Sequence, residues 1–323
     1  MSRRYAVGLD VGGTDIKAAL VDDHGRIACK TVRPTGAERG PEAVLADMAD
    51  LAREVIAGAG VAHSSVVGVS IGAPGPLSPS RGIIFRAANL PGFENVPIRD
   101  ELARRVALPA VFDNDGNAAA YGEFWVGAGR HVADMVLLTL GTGVGAGVIL
   151  SGRLLHGHFE NAAELGHTIV EVGGRACRCG QRGCLEQYSS ASGVARRAVE
   201  ELQAGADSIL TRSTASFEAI TSKAVADAAR SGDPLAARIW DDACRYLAVA
   251  CVNAQHCFNP AMVVLGGGMS AAGDLLIEGV RGHLHRQRWS LAEDLPEVVL
   301  AELGNDAGMI GAGGLMFAAA GGD

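Results

Sequence analysis

Apolar and small residues recur along this chain in short runs separated by Gly-rich turns, and the spacing within the runs changes between period two and a helical period. Tyr5 to Asp10 and Ile16 to Val21 read as two strands joined by the turn VGGTD, and Arg26 to Val32 reads as a third, so the chain opens as a β-meander. Glu42 to Ile56 shows helical apolar spacing, and Val66 to Ile71 reads as a buried strand that ends in GAPGP. A helix is expected near Ile98 to Val106, then a strand at Ala110 to Phe112 that runs into DNDGN and a helix through Phe124. The opening arrangement then recurs, with strands at Met135 to Leu140 and Val144 to Leu150 flanking GTGVG. Helices follow at Ser192 to Leu202, Thr221 to Arg230 and Pro234 to Phe258. A strand at Met262 to Leu265 enters GGGMS, and a helix, a strand at Val298 to Ala301 and a last helix from about Ala307 complete the pattern.

Two similar α/β halves, each with a Gly-rich turn between strands, predict a bilobal fold with its site in a central cleft. The expected division is a smaller amino-terminal α/β domain of residues 1–114 plus 306–323 and a larger domain of 115–305. A chain of 323 residues with 48% hydrophobic residues has enough apolar material for two cores. Its net charge of -8 and pI near 5.6 leave no basic patch for nucleic acid or an anionic membrane. No apolar run has the length or flanks of a signal peptide or a membrane span, so a cytoplasmic protein is expected. A phosphate-bearing partner must then be small and held locally.

The chemistry concentrates in a few short segments. His167, Cys177, Cys179 and Cys184 supply four borderline or soft ligands within one turn-rich loop, the set that tetrahedral zinc takes. Free thiols or a disulfide are the competing account; the glycines and arginines of GGRACRCGQRGC argue against buried structural cysteines. Cys244 and Cys251 lie seven apart in a helical pattern and read as buried small hydrophobes. Asp10, Gly12, Gly13 and Thr14 place a carboxylate at a strand end before a tight turn, where glycines let backbone N–H groups approach phosphate and the carboxylate can hold Mg²⁺. An ordinary hairpin turn accounts for the same residues. GTGVGAG at 141–147 contains a dinucleotide-type glycine pattern, but a strand follows it where a helix is required, and no P-loop motif occurs. Gly266, Gly267 and Gly268 form a third turn. The three turns, at strand ends in repeated halves, resemble those of the sugar kinase, heat-shock ATPase and actin superfamily. Asp115 lies at or just before a helix start and is the candidate base for phosphoryl transfer, with a helix cap as its alternative role. Asn114 beside it offers a donor and an acceptor suited to a polyol.

The run of motifs, DVGGT at 10–14, GAPGP at 72–76, NDGNAA at 114–119, GTGVGAG at 141–147, ELGH at 164–167, CRCGQRGCLE at 177–186, GGGMS at 266–270 and GNDAGMIGA at 304–312, resembles the ROK family of bacterial sugar kinases and sugar-responsive repressors, and its glucokinases most. The resemblance implies ATP and Mg²⁺ dependence, zinc in the loop, and a homodimer or homotetramer. It also implies that Asn114, Asp115, Glu164, His167 and Glu186 hold a hexose, with Gly75 a weaker contact and Asp115 acting on the 6-hydroxyl. His167 would serve zinc through one ring nitrogen and sugar through the other. Asp10, Thr14, Lys17, Gly141, Thr142, Gly143 and the other Gly-rich turns would be the nucleotide side. Glucose is the first expected substrate, an N-acetylhexosamine such as N-acetylglucosamine or N-acetylmannosamine the second, and polyphosphate an alternative donor to ATP. A non-catalytic sugar-sensing regulator is the rival of another class; only nine residues precede Asp10, too few for a DNA-binding helix-turn-helix there. The family commonly has Glu at position 113, Ala at 116 and Pro at 88, where this chain has Asp113, Gly116 and Ala88. Asn89, beside Ala88, is either a turn residue or a part of the sugar site.

Overall fold

The computed structural model describes residues 3–87, 89–213, 216–291 and 294–321; Ala88 lies outside them. The chain forms two compact units, one of Met1–His131, Gly147–Ala163 and Asn305–Asp323, the other of Val132–Ala146 and Glu164–Gly304.

In the first unit the strands are β1 (Tyr5–Val11), β2 (Asp15–Asp22), β3 (Ile27–Pro34), β4 (Val66–Ala73), the short β5 (Leu77–Ser78), β6 (Ile83–Arg86) and β7 (Glu94–Val96), and β8 (Ala110–Asn114). Its first helices are α1 (Pro41–Ala59), α2 (Ile98–Val106) and α3 (Asp115–Trp125). The main sheet has the order β3-β2-β1-β4-β8, in which β1–β3 form the expected meander and β4 and β8 run parallel to β1. A second, three-stranded sheet of order β5-β6-β7 follows β4.

Further along the chain come β9 (Met135–Leu140), β10 (Val144–Leu150), β11 (Arg153–Leu154), α4 (Glu186–Ser189), α5 (Ala191–Gln203), α6 (Leu210–Ser213), α7 (Ser222–Arg230) and α8 (Pro234–Phe258). β12 (Met262–Gly266), α9 (Asp274–Gln287), β13 (Glu297–Leu300) and α10 (Ala307–Gly321) complete it. The second large sheet has the order β11-β10-β9-β12-β13, with β12 parallel to both β9 and β13. Both large sheets thus place their strands third, second, first, fourth and fifth in chain order, so the repeat expected from the Gly-rich turns is a repeat of topology.

Period-two patterning explains how β1 is covered. Val7, Leu9 and Val11 point into a core with Val44, Met48, Leu51 and Val55 of α1, while Ala6 and Gly8 occupy the opposite face. There α10 lies so close that a Cβ on Gly8 would stand 1.9 Å from the Met309 carbonyl oxygen. α10 has no polar face, consistent with burial on several sides. It also meets α3 through small residues: a Cβ on Gly311 would stand 1.7 Å from the Ala118 carbonyl oxygen. For that reason α3 belongs to the first unit, which extends past the boundary expected at 114 and also takes in 147–163. No helix among the described residues is long and apolar enough to cross a membrane.

Candidate active site

In the first unit the candidate residues gather at one end of three adjacent parallel strands. Register pairs Asp10 of β1 with Gly72 of β4, and Gly72 in turn with Asp113 of β8. The loops that leave this edge carry Gly12 to Thr14, Gly75, and Asn114 with Asp115, so parallel pairing brings together residues about a hundred positions apart. Ligands of open α/β sheets bind beyond such carboxyl ends. The Asp10 carboxylate accepts from Lys17 Nζ at 3.3 Å across the hairpin, in line with the Asp10–Lys17 strand pair. The turn itself is closed by Gly12 N–H donating to the Asp15 carbonyl at 2.9 Å. Buried Thr35 braces it, donating its hydroxyl to the Gly12 carbonyl at 2.7 Å and its N–H to the Thr14 carbonyl at 2.8 Å. Asn89 packs against the same turn, because a Cβ on Gly13 would lie 2.9 Å from Asn89 Cβ.

At the β8–α3 junction the cap is Asn114 and not Asp115. Asn114 Oδ1 accepts from the N–H groups of Gly116 at 2.8 Å and Asn117 at 3.3 Å, which leaves its Nδ2 as the group free to donate. Asp115 is the first helical residue, at the positive end of the α3 dipole. Its Oδ1 accepts from Gly116 N–H at 2.8 Å. Gly116, expected to weaken this start by roughly 1 kcal/mol relative to Ala, donates to both side chains.

In the second unit two Gly-rich turns lie side by side. β9 ends in Gly141, Thr142 and Gly143, and parallel β12 ends in Gly266 before Gly267 and Gly268. Gly267 has φ 78°, and a Cβ on it would meet the Leu140 backbone nitrogen at 2.6 Å, so only glycine fits. The Gly141 carbonyl accepts from Ala191 N–H at 2.8 Å. Glu186 Oε2 accepts from Val144 N–H at 3.1 Å, and a Cβ on Gly143 would lie 2.3 Å from that oxygen. Glu186 is therefore already half committed to this turn, a contact between residues 42 apart in sequence.

The loop from Glu164 to Glu186 has the form expected of a metal site. One ligand atom from each of His167, Cys177, Cys179 and Cys184 lies within 4.8 Å of the others. His167 Nδ1 is 3.7 Å from Cys177 Sγ, and Cys179 Sγ is 3.6 Å from Cys184 Sγ. Tetrahedral bonds of about 2.3 Å to sulfur and 2.0 Å to nitrogen set ligand separations of about 3.5–3.8 Å, so the donor set fits zinc. The Cys179–Cys184 separation is also far beyond the disulfide bond length of about 2.05 Å, and all seven cysteines are free. Gln187 Nε2 donates to Cys177 Sγ at 3.3 Å, and the loop is held from outside by Arg175 N–H donating to Tyr188 Oη and by Tyr246 Oη donating to Glu171, each at 2.8 Å. With Nδ1 turned to the thiols, His167 keeps Nε2 for another partner. Glu164 is exposed, yet the surrounding protein still desolvates its carboxyl and raises its pKa; His167 opposes the shift and Glu186 adds to it.

A family model described as the ROK family matches residues 6–318. The chain belongs to the ROK family. Among ROK relatives it is 39% identical over 98% of its length, and 96% of theirs, to a glucokinase of Halalkalibacterium halodurans. It is 38% identical to a glucokinase of Thermotoga maritima, over 98% of both chains. In three dimensions it matches a ROK glucokinase from Streptomyces griseus, solved with glucose and AMPPNP, at a TM-score of 0.83 and 34% identity, over 96% of this chain and 98% of the other. The fold is accordingly that of the ROK sugar kinases, of the actin-like ATPase class expected from the sequence. Within this ROK chain the motifs gave no sign of Thr35, His156, Glu160 or Asn161, all of which contact candidate loops of the first unit. The last three fall in HGHFEN at 156–161, between β11 and ELGH, where the density of polar residues was the available signal.

Proposed function

We propose that this ROK protein is a hexose kinase that transfers the γ-phosphoryl group of ATP to the 6-hydroxyl of glucose, giving glucose 6-phosphate. The observation that carries the proposal is Asp115 at the first position of α3, capped by Asn114, at the strand edge that also presents Asp10. Phosphoryl transfer passes through a loose transition state and asks the protein chiefly for positioning and charge stabilisation. Asp115 orients the sugar hydroxyl and accepts its proton late, as the loose transition state allows. Asn114 Nδ2, Glu164, His167 Nε2, the free oxygen of Glu186 and, more weakly, Gly75 hold the sugar. The turns at Gly12–Thr14, Gly141–Gly143 and Gly266–Gly268 present backbone N–H groups to the nucleotide, with Lys17 and Thr142 beside them. Asp10 would hold Mg²⁺, which neutralises charge on the phosphates. Zinc on His167, Cys177, Cys179 and Cys184 is structural. We place the protein in the cytoplasm, with its substrates, as a homodimer or homotetramer.

A coupled ADP-release assay over a panel of hexoses tests the function. Glucose should give the highest kcat/KM, with N-acetylglucosamine and N-acetylmannosamine well below it and ATP preferred to polyphosphate. No turnover with any hexose would sink the kinase reading; an N-acetylhexosamine in first place would move the substrate and leave the reaction class intact.

A further inference from the structure

The β8–α3 junction is tied to a residue with no place in the proposed chemistry. Asp113 is only 4% exposed, one position before the sugar-binding Asn114. Its Oδ1 accepts from Asn114 N–H at 2.7 Å and from Asn117 Nδ2 at 2.8 Å, so the carboxylate fixes both the cap residue and the first turn of α3. Its Oδ2 accepts from His156 Nε2 at 2.7 Å. The loop that carries His156 is itself anchored to the segment after Gly75. Asn161 Oδ1 accepts from Leu77 N–H at 3.0 Å, Asn161 Nδ2 donates to the Leu77 carbonyl at 3.1 Å, and Ser78 Oγ donates to Glu160. Glu160 and Ala163 are held at φ 59° and 66°, conformations that non-glycine residues adopt only when their surroundings impose them. One loop therefore holds both sugar-side segments of the first unit, at Gly75–Ser78 and at Asp113–Asn114.

We propose that His156 is a positioning residue for phosphoryl transfer: through Asp113 it fixes Asn114 and so sets where Asp115 presents its carboxylate to the sugar. The proposal rests on the kinase reading above for what Asp115 does, but not for the contacts. The charged groups acting on His156 are Asp113 at the end of β8 and Glu160 on its own loop. The hydrogen bond to Asp113 raises the imidazole pKa above its ordinary value, burial opposes the rise, and the charges of Asp113 and Glu160 add to it. A raised pKa means that the charged pair is complete below the usual histidine range and is lost as pH rises through the raised value. Sugar-dependent kinetics should therefore decline on the alkaline side for a reason that lies in this pair.

The test uses the full-length protein with H156A, H156Q and D113N, comparing kcat, KM for glucose and KM for ATP, and glucose binding by calorimetry. In H156A, kcat should fall roughly 10- to 100-fold, the size expected when a reacting group is misplaced by about an ångström, and KM for glucose should rise while KM for ATP stays near wild type. H156Q restores a neutral donor to Asp113. It should recover part of kcat and lose the alkaline decline, and D113N should resemble H156A. A merely structural role would lower the folded fraction without separating the two KM values or changing the pH profile. Wild-type kcat and glucose KM per folded molecule in H156A would overturn the proposal, and if H156A does not fold, an unaltered pH profile in H156Q does so. A wild-type protein that turns over no hexose fails the kinase reading instead, and calorimetric sugar affinity in the variants still reports on the pair.

Discussion

At Asn114 and Asp115 the two tasks of a helix start are split between neighbours. The amide oxygen of Asn114 faces two N–H donors, which fixes it as the acceptor and leaves the amide nitrogen for the proposed sugar contact; Asp115, the first helical residue, is not the cap and is the proposed base. The division separates binding from chemistry. Replacing Asp115 by Ala should reduce kcat about 10²- to 10⁴-fold, the usual contribution of a positioned acid or base, while glucose affinity changes far less because the other proposed sugar contacts remain. Calorimetry on the variant and single-turnover ADP release would read the two effects apart. Near-normal turnover would remove Asp115 as the base. DNDGN by itself fits either a cap or a base at Asp115; the cap was decided only by which N–H groups face Asn114.

Among the elements, α10 is the one whose sequence most constrains its neighbours. Gly308 lies against the Asp10 carboxyl group, with a built Cβ 2.9 Å from its Cγ; Gly311 abuts Ala118 and Gly122 of α3, and Met309 covers Gly8. In G311A the added methyl has no room, since it would stand 2.6 Å from the Gly122 nitrogen as well as against Ala118. Overpacking of this kind costs about 1–3 kcal/mol, to be seen as a lower urea midpoint at unchanged m. G282A is the control: that glycine sits inside α9 with its nearest neighbour at 3.6 Å, so Ala should stabilise by up to about 1 kcal/mol. The long elements were legible because their periods run for several turns or residues: α2 was expected and found at Ile98–Val106, and β9 and β10 at their expected limits. The sheet of β5, β6 and β7 was not, because strands of two, four and three residues are too short to show alternation. Pairings such as His156 with Asp113, 43 residues apart, leave no local pattern at all.

For the molecule as a whole, the Cys/His cluster lies in the second unit and the close packing of α10 in the first. Metal analysis of the purified protein should find about one zinc per chain, the stoichiometry of a four-ligand site, and C184S should lose it. Stripping the metal should raise KM for glucose before it lowers kcat, because the loop carries Glu164 and Glu186 while Asp115 stands in the other unit. A fall in kcat alone, with glucose KM unchanged, would contradict this order. The first unit is built from three separate stretches of chain, the last of which is α10. During synthesis, then, β1 and α3 leave the ribosome with the Gly8 face and the Ala118 face bare, and remain so until residues 307–321 emerge. The second unit, whose residues all lie between 132 and 304, has its full complement before then. Domains on a growing chain generally fold from the amino end; here the first strands made are the last to be completed, and in the interval a chaperone has its clearest reason to hold them.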